Sequence, residues 1–264
     1  MKRIIGYLWV CFVTHPLLAQ YHNEEIQRGM NEGTLIGIGT SQIRDTYLSP
    51  FNYAGWGARI FNERMTFFRE MRFSRQQIIS VDISSTENPA ENVNDFGAFV
   101  NYSFAYHYRL QAGANFRLLT GASAHLMGGF IYNTRNGNNP LSAKVDVDLN
   151  FSFLALYRFR INGRPVVLRY QGDLPLVGVF FAPHYGISYY EIFNAGNMAD
   201  VIKLNSFHNK FSLKTHVTMD IPVHNATLRL GYLSSLYHSD INDIKTHILS
   251  NTFMIGWVKQ FMLR

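Results

Sequence analysis

A strict two-residue alternation through Lys144–Arg160 constrains this chain most. Its even positions are Lys144, Asp146, Asp148, Asn150, Ser152, Leu154, Leu156, Arg158 and Arg160, and its odd positions are Val145, Val147, Leu149, Phe151, Phe153, Ala155, Tyr157 and Phe159. Successive side chains of a strand point to opposite faces, so this segment is one long ribbon with an apolar face and a mostly polar one. Ser206–Ile221 repeats the pattern, with His208, Lys210, Ser212, Lys214, His216, Thr218 and Asp220 opposite Phe207, Phe211, Leu213, Val217, Met219 and Ile221. In Val166–Leu174, Arg169, Gln171 and Asp173 oppose Leu168, Tyr170 and Leu174.

Reading the same period along the chain predicts ten strands: Thr34–Ile43, Trp56–Glu70, Gln76–Ser85, Asp95–Tyr108, Asn115–Thr134, Ser142–Ile161, Pro165–Leu174, Asn205–Ile221, Ala226–His238 and Lys245–Leu263. Trp56–Glu70 and Lys245–Leu263 carry polar residues at both parities, so their faces stay unassigned. Connections after even-numbered strands are short, and those after odd-numbered strands are mostly longer. That asymmetry predicts an all-β, antiparallel transmembrane β-barrel of about ten strands, with short periplasmic turns, longer extracellular loops and both ends in the periplasm.

A soluble sandwich also alternates, with its apolar face inward. Several segments here exceed the nine to eleven residues that cross a bilayer at a tilt. Aromatics gather near segment ends, as at Tyr106, Tyr108, Tyr157, Phe159, Trp257 and Phe261. Aromatic residues make up 15% of the chain and charged residues only 16%. The chain closes on an aromatic-rich segment, as outer-membrane barrels do, although its last residue is Arg264. No segment has the eighteen or so apolar residues of a spanning helix. A periplasmic soluble β-protein is the competing architecture.

Met1-Lys2-Arg3 followed by an apolar run to Ala19 predicts a secretory signal peptide cut after Ala19, against an uncleaved anchor. Cleavage removes Cys11, the one cysteine, and with it any disulfide or thiolate chemistry. The expected domains are a leader (1–19), an N-terminal lead-in (20–33) and an outer-membrane barrel domain (34–264). The formal net charge is +6, of which two charges leave with the leader, and no basic run marks a nucleic-acid surface.

NTRNGNNPLSAK at Asn133–Lys144, LRYQGDLPLVGVFFAPHYGISYYEIF at Leu168–Phe193 and DTYLSPFNYAGWG at Asp45–Gly57 resemble a family of Gram-negative outer-membrane β-barrel proteins of unknown function. The resemblance runs through most of the chain after the leader. It implies barrel and location, and carries over no catalytic or ligand residues.

The polar parity predicts a lumen-facing charged cluster: Arg117, Lys144, Asp146, Asp148, Arg158, Arg160, Arg169, Asp173, Lys210, Lys214, Asp220 and Arg229. Mixed charges in an enclosed space are expected to pair, which gives either a salt-bridged plug or a narrow polar path. The segment Pro175–Leu204 is unusually apolar for a loop. Phe180, Phe181, His184, Tyr185, Tyr189 and Tyr190 make it a candidate lid or binding loop, with a helical turn expected near Tyr189–Asn194. His208 and His216 share a face but stand too far apart for one metal, while His107 and His125 lie on neighbouring strands and could approach. His247 and Ser250 are three apart, hence on opposite faces. Asp45, Glu87 and Glu91 near the outer rim read as solvated loop acids, and Asn136-Gly137 as a tight turn. The expected function is a non-enzymatic channel, binding or structural barrel, with a rim hydrolase acting on lipid or peptide as the alternative. No cofactor and no metal are expected. The expected partners are outer-membrane lipid, the barrel-assembly machinery and a small-molecule ligand of unknown identity, with no nucleic acid.

Overall fold

The computed structural model describes residues 29–68, 72–194, 201–223 and 226–262. The leader and residues 20–28 of the lead-in lie outside them. Eleven strands run in chain order: β1 (Gly29–Asp45), β2 (Tyr53–Phe68), β3 (Phe73–Glu87), β4 (Asn94–Ala112), β5 (Phe116–Asn133), β6 (Leu141–Ile161), β7 (Arg164–Phe181), β8 (Ile202–Asn205), β9 (Lys210–Val223), β10 (Ala226–Ile241) and β11 (Ile244–Met262). One short helix, α1 (Tyr189–Asn194), precedes β8. Gly29–Gly33 of the lead-in therefore belong to β1, paired with β11 as far as Gly29↔Met262.

Neighbours pair antiparallel, β1 pairs with β11, and β6 with β7, so the sheet closes on itself. β8 and β9 share one place in the wall. β8 pairs with Gly178–Phe181 of β7, and β9 with Val167–Asp173. The result is a closed ten-position antiparallel barrel, which removes the exposed edges an open sheet would leave.

Three local differences from the sequence expectations have clear causes. The strand expected at Asn205–Ile221 is broken by a turn at Ser206–Asn209. Asn209 closes it by accepting from Ser206 N at 3.0 Å and donating to Leu204 O at 2.9 Å. His208 is thereby turned out to solvent, away from buried His216. β7 does not end at Leu174. It shifts register at Pro175–Val177 against β6, where a residue without an N–H is tolerated, and then resumes pairing to Phe181. Asn136-Gly137 makes no two-residue hairpin. Asn133 Oδ1 accepts from Arg135 N and Asn136 N, each at 3.0 Å, and holds a wider loop. The tight turns lie elsewhere, at Asn162-Gly163 and Asn242-Asp243, where both central residues have positive φ, as type I′ hairpins require.

The outer surface is an apolar belt. Ile36, Ile38, Ile60, Val81, Val100, Val147, Leu149, Phe253 and Ile255 all point outward, and Ile38 and Phe253 are 73% and 69% exposed. Aromatics border it on the short-turn side, with Phe73 against Tyr108 and Tyr157 against Phe159. A continuous apolar patch of this kind on a barrel exterior is what hydrocarbon solvates and water does not.

The lumen is filled in layers. Beneath the long-loop mouth lies an apolar cluster of Ile43, Tyr47, Leu48, Phe99, Met127, Ile131, Tyr237 and Ile244. A charged layer follows. Leu35, Phe61, Leu233 and Met254 form the next apolar level. Below them sits an ion network around Glu63. Met65, Phe67, Leu119 and Leu154 close the short-turn end.

The two segments whose faces stay unassigned by sequence are now resolved. In β2, Arg59, Phe61, Glu63 and Met65 are buried in the lumen while Trp56, Ile60 and Arg64 face out. Asn62 and Arg64 are outward polar groups, satisfied by Glu32 at 3.2 and 3.0 Å. In β11, Thr252, Met254 and Val258 face in while Phe253, Ile255 and Trp257 face out.

Candidate functional site

The charged lumen residues form two networks, linked through Gln171 to the chamber carboxylate Asp173, and one isolated pair. At the mouth, Lys144 Nζ lies 2.8 Å from Asp45 Oδ2 and donates to Thr246 Oγ1 at 2.9 Å. Asp45 is not a solvated loop acid. It is the last residue of β1, 1% exposed, and accepts from Tyr47 N at 3.1 Å. Glu87 and Glu91 are exposed. Asp95, the other buried acid at this rim, accepts from Asn133 Nδ2 at 2.7 Å. His247 and Ser250 lie on opposite faces of β11, so they form no nucleophile–base pair.

The lower network centres on Glu63. Arg169 reaches it with both terminal nitrogens, Nη1 donating to Oε2 at 2.8 Å. Arg229 bonds both Glu63 and Asp220, the latter at 2.7 Å from Nη2. Gln76 joins through Glu63 and through Gln171 at 2.8 Å. Both charge signs are matched, and the fork of each arginine suits the paired oxygens of a carboxylate.

The upper network lines a chamber of about 120 Å³. Arg59 is paired with Asp82. Asn101 Nδ2 donates to Asp82 Oδ2 at 2.8 Å. Lys210 Nζ lies 2.8 Å from Asp148 Oδ2 and 3.1 Å from Asp146 Oδ2. Asn205 Nδ2 donates to Asp148 Oδ1 at 2.9 Å. Lys214 Nζ donates to Asn101 Oδ1 at 2.9 Å and to His125 Nε2 at 2.6 Å. Phe61, Gln171 and His216 make the floor, and Phe99, Met127, Tyr237 and Ile248 the roof. Gly178 is what admits the Asp148–Asn205 bond: a Cβ there would collide with both side chains.

The remaining members of the sequence cluster sit toward the short-turn end. Arg117 is half-buried on the inward face of β5. Arg158 is half-buried and Arg160 exposed, because β6 has passed the closed part of the lumen by then and is turning at Asn162-Gly163. His107 and His125 do not meet. His107 stands opposite Gly121 and His125 opposite Ser103, four positions apart along β4. His107 Nε2 bonds Ser152 at 2.9 Å instead.

Of the lid residues, Phe180 and Phe181 belong to β7, and Phe180 is buried inward, 5.8 Å from Lys210 Nζ. The loop proper begins at Ala182. Tyr189 is its anchor: its hydroxyl accepts from Ala143 N at 2.6 Å, and its ring stacks on Phe181 and Phe193. Burial pushes the Tyr189 phenol up to about 12, so it stays neutral at any ordinary pH. Tyr47 donates to Ile187 O at 2.9 Å, and Ile192 is fully buried. Ser188 and Glu191 form a reciprocal cap on α1, with Ser188 N donating to Glu191 Oε2 at 2.8 Å. That donated bond holds the Glu191 carboxyl below the usual range. His184 is half-buried, and Tyr185 and Tyr190 are exposed.

Sequence periodicity missed Glu63, Arg59, Asp82 and Asp45. The first two stand in a segment polar at both parities. The third stands in Phe73–Glu87, where several residues of both parities are polar. Asp45 reads as loop because Thr46-Tyr47-Leu48-Ser49-Pro50 follows it.

A closed antiparallel barrel, apolar outside and packed with paired charges inside, defines the class of outer-membrane β-barrels. The chain belongs to the family described as Protein of unknown function (DUF3316), whose pattern matches residues 7–264. No curated protein sequence matches it. Among solved structures, the outer membrane protease OmpT from Escherichia coli is similar over 92% of this chain and 100% of that one, with TM-score 0.50 and 7% identity. The beta domain of the Bordetella autotransporter BrkA covers 87% of this chain and 99% of that one, at TM-score 0.42 and 9% identity. At such identities the likeness is one of fold.

Proposed function

We propose that this protein resides in the outer membrane and acts as a binding barrel with a lumen closed at rest, rather than as an open pore. The observation that carries the reading is the chamber of about 120 Å³ held between two apolar levels, with a capped helix over the upper one. A water-filled pore needs a continuous polar path, and side chains fill a barrel of this size unless they are withdrawn. The apolar belt supports residence in lipid. Outer-membrane lipid and the barrel-assembly machinery are the partners this residence entails, and the leader at residues 1–19 is the export signal it requires.

The test is conductance of the detergent-extracted protein in planar bilayers. The expected record is silent, with insertion shown independently by protease protection. Stable single-channel steps would overturn the closed-lumen reading and make the Asp146–Lys210 layer a selectivity filter instead.

A further inference from the structure

The wall is interrupted at one seam. Among the described residues, the other neighbouring strands keep continuous ladders, broken at most by a single-residue bulge. Between β7 and β9 the ladder stops at Asp173↔Lys214, and it resumes only at Gly178↔Asn205 on β8. Leu174–Val177 intervene on β7 and Ser206–Leu213 on the other side, so the β8–β9 side carries the extra residues. The Ser206–Asn209 turn takes part of that excess out of the wall. Leu174–Val177 and Lys210–Leu213 are left on either side of the seam with no ladder between them, over about 13 Å of strand.

The seam lies at the depth of the apolar belt. Val177 stands opposite Leu149, and both are exposed, as is Leu176. Backbone groups without partners are costly in hydrocarbon, and irregular backbone at that depth persists where protein covers it or where it lines a cavity. Here it lines one. Lys210 and Ser212, from the stretch unpaired with β7, face the chamber, as do Asp173 and Lys214 at its lower end. Phe211 and Leu213 alternate with them and point the other way, toward lipid. The seam therefore has a polar inner lip and an apolar outer one. Pro175 brings no N–H to it, and Ser206 Oγ donates to Leu176 O at 3.1 Å, a side-chain bond where ladder bonds would run.

Behind the seam, the unmet polar atom is a neutral one. Asn150 stands opposite Pro175 and lines the chamber, 6% exposed. Its Nδ2 donates to Ser123 Oγ at 3.3 Å, while its Oδ1 is buried without a donor. A buried acceptor left unmet costs free energy. The charges nearby are engaged with one another, Arg59 with Asp82, and Lys210 with both Asp148 and Asp146. A cationic head would meet the Lys210 ammonium already in place, and an anionic one would meet these carboxylates. A hydroxyl head disturbs neither, and as donor and acceptor at once it satisfies the Asn150 amide in either orientation. The apolar outer lip suits a hydrocarbon tail that stays in the membrane.

We propose that the chamber is entered sideways from the membrane, through the β7–β9 seam, by the hydroxyl head of a neutral single-chain amphiphile. This rests on the closed-lumen reading, of which it names the route and the ligand class. The test uses the full chain with Cys11→Ser, and with Ser235→Cys as the one thiol, in phosphatidylcholine vesicles. Ser235 lines the chamber from β10, a strand laddered on both sides. An alkyl maleimide that partitions into the bilayer is expected to label this thiol at least tenfold faster than a sulfonated maleimide that stays in water. Dodecanol is expected to slow that labelling in a concentration-dependent way, while dodecylammonium and dodecanoate do not. Removing Phe207–Asn209 leaves Ser206 alone between Asn205 and Lys210, which keeps both on the lumen side and lets β8 run on into β9. That deletion is expected to slow alkyl labelling at least tenfold. If it does not fold, the reagent and dodecanol comparisons decide alone. Faster labelling by the sulfonated reagent overturns the route, as does unchanged labelling after the deletion. Protection by either ionic amphiphile, or none by dodecanol, overturns the ligand class. A silent bilayer together with absent alkyl labelling leaves the closed lumen standing and removes only the sideways entry. Steady conductance removes the closed lumen itself.

Discussion

Glu63 of β2 and Arg169 of β7 meet across the full width of the barrel. Four strands separate β2 from β7 in either direction around the wall, yet Arg169 Nη1 donates to Glu63 Oε2 at 2.8 Å. Arg229 of β10 completes the same knot. A lumen tied at its diameter resists both ovalisation and passage. Glu63→Gln leaves two arginines facing a neutral amide in a buried site. The expected loss is about 3–5 kcal/mol of unfolding free energy, the usual cost of breaking a buried pair from one side. Denaturant titration in micelles measures it, and a loss under about 1 kcal/mol would mean that water already shares the site.

The lid carries its own pH dependence. Glu191 is held below the usual carboxylate range by the bond from Ser188 N. A group whose folded value is depressed stabilises the fold above its unfolded value and loses that contribution as pH falls through the folded one. Helix α1 is therefore expected to loosen as the pH falls below the ordinary carboxylate range. Faster proteolytic nicking in the Gly186–Asn194 segment under acid is the readout. Ser188→Ala should show the same nicking already at neutral pH. Nicking at a rate independent of pH in both proteins would count against the cap.

Gly178 is expected to tolerate no side chain. Gly178→Ala drives a methyl into the Asp148–Asn205 contact and the Val147 carbonyl. Overpacking of this kind costs about 1–3 kcal/mol. The denaturation midpoint should fall accordingly, and Gly137→Ala, which meets open space, should leave it in place. Equal effects from both substitutions would show that the close approach at Gly178 does not matter.

Export makes a further prediction. Intact-mass measurement of protein from the outer-membrane fraction is expected to give a chain beginning at Gln20, without Cys11. A mass that retains residues 1–19 would establish the uncleaved anchor.

Much of the wall was legible because a strand with lipid on one side and polar packing on the other must alternate. Lys144–Arg160 shows this at its clearest, and β6 buries Ser142, Lys144, Asp146, Asp148, Asn150 and Ser152 in turn. The pattern failed where both faces are polar for different reasons. In β2, Arg64 points outward to Glu32 at the edge of the belt, while Glu63, one residue away, points into the lumen. Composition cannot tell a rim polar group from a lumen one, since only the neighbouring strand's register supplies the partner.

The sequence by itself determined the number of wall positions, the antiparallel order, the short-turn and long-loop ends and the helical turn in the lid. Those follow from local periodicity and turn chemistry, which act over a few residues. Tertiary structure alone decided which charges meet. Glu63 finds Arg169 and Arg229, Asp45 finds Lys144, and Asp146 and Asp148 share Lys210, because closing the cylinder juxtaposes residues far apart in the chain, 106 and 166 positions for Glu63 and its two arginines. Shear and side-chain length set those distances, and no period along the chain encodes them.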